Sequence, residues 1–108
     1  MRLPDDLVPY KRTPDFTETS APAGLLRAHA TKDGVWALIH VLEGRLAYRI
    51  TDPRRPAGEQ VLTPEGEPGV VEPTVLHEVE PLGAVRFYVE FHHREGEARP
   101  AGSPHAQV

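Results

Sequence analysis

Cysteine is absent from the 108 residues, and methionine and tryptophan occur once each. Disulfides, thiolate zinc sites and thiol catalysis are thereby excluded, and nothing implies an oxidising compartment. Serine is scarce too: Ser20 and Ser103 lie in stretches without strand character, so a Ser/His/Asp arrangement cannot be assembled on strands. No apolar run approaches the ~20 residues needed to cross a bilayer. Arg2, Asp5 and Asp6 put charge where a signal peptide would be apolar, so a cytoplasmic location is expected. The net charge of −4, with basic residues scattered, leaves no phosphate-binding footprint. Nucleic acid and membrane are not expected as partners. The glutamates show no spacing that singles out a glycosidase pair.

A convincing 3.6-residue apolar period is missing as well, so helix should be minimal. What the chain does have is 12 prolines and 9 glycines, which interrupt short runs rich in Val, Ile, Leu, Tyr and Phe. That is the pattern of an all-β sandwich or barrel, and the length suits one domain.

In chain order, residues 1–22 carry Pro4, Pro9, Pro14 and Pro22 and read as an extended N-terminal arm, pinned by Leu7, Val8, Tyr10 and Phe16. The barrel is expected over residues 23–93. Residues 23–30 read as a first strand with Leu25, Arg27 and His29 on one face. Residues 35–42 are apolar at nearly every position and read as a central strand covered on both faces. Glu43 and Gly44 read as a tight hairpin turn into a strand over residues 45–50. A loop (51–58), a short strand (59–63) and a turn (64–68) follow. Residues 69–72 form a strand, Pro73 starts a turn, and the next strand opens on His77. Leu82 and Gly83 turn the chain into residues 85–92, where Val85, Phe87, Val89 and Phe91 alternate with Arg86, Tyr88, Glu90 and His92. Residues 94–108 have too little apolar content to offset ordering and are expected to be a flexible tail.

Arg27-Ala-His-Ala-Thr-Lys-Asp-Gly-Val-Trp36, Val41-Leu-Glu-Gly-Arg-Leu46, Val71-Glu-Pro-Thr-Val-Leu-His-Glu-Val-Glu80 and Phe87-Tyr-Val-Glu-Phe91 together resemble the TehB/YeaR-like domain over residues 10–93. This small cupin-type family occurs alone or fused ahead of a methyltransferase in tellurite-resistance proteins. The resemblance implies a bacterial cytoplasmic cupin-type double-stranded β-helix, or jelly roll. It does not carry methyl transfer with it, because no glycine-rich strand–turn–helix is present. The wider cupin pattern places two His and a Glu on a first motif and one His on a second. His77 matches the second-motif His and His29 a first-motif His, while Lys32 and Ala37 stand where the other ligands would be.

Glu90 could complete a set of His29, His77 and Glu90 able to hold divalent Zn, Fe or Mn with open coordination positions. Arg27 and Tyr88 are candidate pocket residues. The plain alternatives are a structural His77 bonded to its turn, an exposed strand at His29, and a solvent-facing Glu90. His40, among apolar neighbours, reads as a packed or interface histidine. Trp36, Tyr48 and Tyr88 could line a pocket or fill the core. His92, His93 and His105 read as adventitious. The expected function is binding of a metal ion or a small ligand such as an oxyanion in the barrel mouth, possibly in a tellurite or nitrogen-oxide stress response. A divalent metal and no nucleotide cofactor are expected. The alternatives are a two-His, one-carboxylate metalloenzyme and an interaction-only protein, with a homodimer expected.

Overall fold

The computed structural model describes residues 2–94. Two long strands dominate it, β3 (Trp36–Ile50) and β6 (His77–Arg94). They run antiparallel from Trp36 opposite His92 to Ile50 opposite His77. Each is flanked by shorter strands. β1 (Leu7–Arg12) and β2 (Phe16–Thr17) pair with the C-terminal half of β6. β4 (Gly58–Leu62) and β5 (Gly69–Val71) pair with opposite halves of β3. The order is β1-β6-β3-β4. The only helical piece among the described residues is a 3-10 turn, Ala23–Leu26.

The all-β expectation with minimal helix therefore holds. The sheet is open, since β1 and β4 are its edges and no pairing between them closes it. A closed jelly roll is not what these pairings define.

Period-two alternation fills the core. Ala37, Ile39 and Val41 of β3 point inward with Val85, Phe87, Val89 and Phe91 of β6, and all seven are buried. Phe16 meets Phe87 edge-on, with ring centroids 5.8 Å apart. Residues 1–22, expected as an arm, thus contribute two sheet strands and a core ring.

Two turns expected from glycine are in fact bends inside strands. Gly44 (φ +77) and Gly83 (φ +99) both have positive φ. Gly44, however, sits where β3 shifts register against β6, between Val41/Glu43 and Gly44/Leu46. A bulge needs the same backbone freedom as a hairpin, so glycine alone does not distinguish them. The strand expected over residues 23–30 is instead the 3-10 turn followed by irregular backbone, with one isolated bridge at His29. The expected tail lies outside the described residues, apart from Arg94 in β6.

Candidate functional site

His77 stands at the first position of β6, and the residues before it are held by a carboxylate. The Asp52 side chain is only 3% exposed. Its Oδ1 accepts hydrogen bonds from Arg54 N (2.8 Å) and Nε (3.0 Å). Its Oδ2 accepts from Arg54 Nη2 (2.8 Å) and Leu76 N (2.9 Å). Arg54 Nη2 also donates to Thr74 O at 2.5 Å, bracing a residue at φ +64. The Arg54 guanidinium, with the Leu76 and Arg54 amides, holds the Asp52 carboxyl well below the usual range. An Asp-Pro pair opening a loop is a turn signal, and it was the available clue to a clamp that motif matching passed over. Asp52→Ala strips the Leu76 amide of its acceptor and should lower stability. A lower urea midpoint at unchanged slope would register that loss.

His29 reaches His77 from the irregular segment after the 3-10 turn. His29 N donates to His77 O (2.9 Å), and His77 N donates back to His29 O (2.8 Å). The ring centroids lie 4.1 Å apart. Each imidazole makes the same local bond two residues upstream: His29 Nδ1–H to Arg27 O (2.7 Å) and His77 Nδ1–H to Val75 O (3.0 Å). Carbonyls accept only, so both Nδ1 atoms are protonated and, in the neutral rings, both Nε2 atoms carry lone pairs. His29 Nε2 is buried without a hydrogen-bond partner.

Burial lowers both imidazole pKa values, for His77 to about 4, with the neighbouring His29 adding to the effect there. Tyr48 packs edge-on against His77, ring centroids 5.6 Å apart, and donates its hydroxyl to Val70 O at 2.7 Å. Burial raises its phenol pKa. Between the imidazoles and Leu25, Thr31, Val71 and Phe87 lies a cavity of about 10 Å³, room for one water-sized group. The Thr31 hydroxyl is committed to Val35 O at 2.7 Å.

The remaining sequence-chosen residues lie elsewhere. Glu90 belongs to the face of β6 opposite the Val85–Val89–Phe91 core face, where it accepts from His92 Nε2 at 2.9 Å and lies 3.7 Å from His40 Nε2. Strand parity, which turns Phe91 inward, turns Glu90 away from His29 and His77. Tyr88 shares that outer face, stacked on His40 and covered by the Arg12 guanidinium 3.8 Å from its ring centre. Arg27 is exposed and serves the site through its carbonyl. The structure therefore joins His29 to His77 and leaves Glu90, Arg27 and Tyr88 out of the cavity.

Against known proteins, the profile of the TehB-like domain matches residues 11–89. Two curated proteins of Haemophilus influenzae strains, each named "Probable S-adenosyl-L-methionine-dependent methyltransferase TehB", are 35% and 33% identical over 81 residues. These matches cover 74% of this chain and 28% of each relative, so the chain spans under a third of their length. The crystal structure of TehB from Haemophilus influenzae superposes with a TM-score of 0.76 at 29% identity, covering 83% of this chain and 32% of that one. A protein from E. coli (strain K12) shares the fold, with a TM-score of 0.75 at 22% identity, and covers 87% of this chain and 97% of its own.

These findings overturn the expected cofactor. Among the described residues no group of three or more His, Asp or Glu could hold a metal ion. The relatives are named as S-adenosyl-L-methionine-dependent, whereas a divalent metal and no nucleotide cofactor were expected here. The His29–His77 cavity, at about 10 Å³, does not fit that molecule. Among the described residues no helix is long and apolar enough to cross a membrane. Matched over most of its described length, the chain belongs to the TehB-like domain family.

Proposed function

We propose that the chain is a small ligand-binding module whose ligand donates hydrogen bonds between His29 and His77, in the first instance the protonated form of an oxyanion. The observation that carries this is the buried, unpartnered Nε2 of His29 beside a second imidazole of the same tautomer. Both rings are neutral at pH 7, so they offer lone pairs and no positive charge. A fully ionised oxyanion has nothing to donate to them, whereas an oxyanion that keeps a hydroxyl does. The resemblance to tellurite-resistance domains makes hydrogen tellurite the first ligand to test. The cavity admits one hydroxyl, and anything larger requires its lining to give way.

A cupin-type description of the bent β3–β6 ladder, a homodimer and a cytoplasmic location belong to the same proposal. A second reading rests on the relatives: because they are named as methyltransferases and this chain matches 28% of them, the module would serve as a non-catalytic companion to methyl transfer.

Imidazole NMR of labelled protein during a sodium tellurite titration at pH 7 tests the binding site. Saturable shifts at His29 and His77 are expected, with those of His29 lost in a folded His77→Leu variant. Absence of saturable shifts in the parent, or unchanged ones at His29 in the variant, would overturn the proposal.

A further inference from the structure

Beyond the turn that precedes His77, a separate cleft of about 350 Å³ opens between the end of β3, the start of β4 and residues 70–75. That volume is within the range of small-molecule sites. Ile50 and Val70 supply apolar surface above the buried Val75, and Pro56, Ala57 and Gly58 form a wall with little side-chain bulk. The floor is fixed from both sides: Tyr48 donates to Val70 O, and the Asp52 clamp holds Thr74 and Leu76.

The cleft's charged groups are Arg55 and Glu72. Arg55 Nε donates to Glu72 Oε1 at 3.1 Å and Nη2 to Oε2, while Nη1 donates to Arg54 O at 3.1 Å. A guanidinium has five N–H groups, so this one keeps free donors after its plane has been set by the carboxylate. It is also the more accessible partner, with its side chain 41% exposed against 23% for Glu72.

Gly58 borders this space on the β4 side. It lies opposite Ile50 in the β3–β4 pairing, and directly paired residues project on the same sheet face. A Cβ there would meet no atom within 4 Å, and Gly58 is not among the positive-φ glycines. Its backbone does not require glycine, and a side chain would grow into the space Ile50 faces.

We propose that this cleft is a second small-molecule site, taking a ligand with a compact apolar or aromatic body and one anionic head. The body covers Ile50 and Val70, and the head takes the free N–H edge of Arg55. The site is independent of the His29–His77 cavity.

8-Anilinonaphthalene-1-sulfonate, an aromatic body with a sulfonate head, is a suitable probe. Titration into the full chain should give a saturable fluorescence rise with one site per chain. Gly58→Leu should weaken binding about tenfold or more while leaving the Tm unchanged. Arg55→Gln should weaken it severalfold and reduce its salt dependence. Ala57→Leu, on the same wall, gives a second block if Gly58→Leu does not fold. In the blocked variants the tellurite response at His29 and His77 should be retained, so either site can fail without the other. Non-saturable fluorescence, or parent-like affinity in the folded blocked variants, would overturn the assignment.

Discussion

Gly44→Ala is expected to destabilise the chain by about 4 kcal/mol, the largest effect of any single substitution considered. Two penalties combine. At φ +77 any Cβ carries the left-handed cost of about 1–2 kcal/mol. That Cβ would also lie 2.0 Å from Ala84 O and 3.0 Å from Val85 Cα. Both neighbours are backbone atoms of β6, and Gly44 is paired with Val85, so relief requires opening the central ladder. Against a total stability of roughly 5–15 kcal/mol for a domain of this size, most of the margin could go. Gly83→Ala provides the control. It has the same sign of φ, but a Cβ there meets nothing within 4 Å, so only the backbone cost of about 1–2 kcal/mol applies. Urea unfolding of the two variants measures the difference, and equal losses would show that the clash at Gly44 relaxes freely.

Acidification from pH 7 to pH 4 should remove about 3 kcal/mol of stability through His77. The folded pKa of about 4 is below the ordinary 6.5, so between these values the unfolded chain binds more protons than the folded one. Stability is therefore full above pH 6.5 and falls as the pH drops toward 4. His29, shifted in the same direction, adds to the slope. The carboxyls of Asp52, Glu72 and Glu18 are shifted below their usual range, so their stabilisation is lost as the pH falls below about 4.5, overlapping only the acid end of the histidine window. His77→Gln keeps an amide that can donate to Val75 O and removes the titration. Its unfolding free energy should lose most of the pH 4–6.5 slope, and a variant with the parent's slope would exonerate His77.

The fold was legible where the apolar pattern was strong. Alternation over residues 85–92 announced both faces of β6, and the nearly continuous apolar run of residues 35–42 announced β3. The bends at Gly44 and Gly83 were visible as glycines but not as bulges, because a local sequence does not say whether the chain reverses or continues after a positive φ. Residues 23–30 alternate like a strand, yet the 3-10 turn places Leu25 over the cavity and leaves Arg27 exposed. For the site, the turn before His77 located one imidazole, and the resemblance located the other. Glu90 required β6 to turn its polar face inward, and the inward side chain of Phe91 turns its neighbour outward instead. Asp52 was missed because its role depends on Leu76 and Thr74, which are remote in sequence.

The β1–β6 pairing has a kinetic consequence. Leu7 is opposite Arg94, so β1 finds its partner only when nearly all of the described chain has been made. The β3–β6 ladder is also non-local, and structures dominated by such contacts fold in milliseconds to seconds. Until β6 arrives, β3 offers an apolar strand with its central ladder unmade, the kind of edge that invites pairing with another chain. The imidazole pair cannot form until His77, which opens β6, has been made.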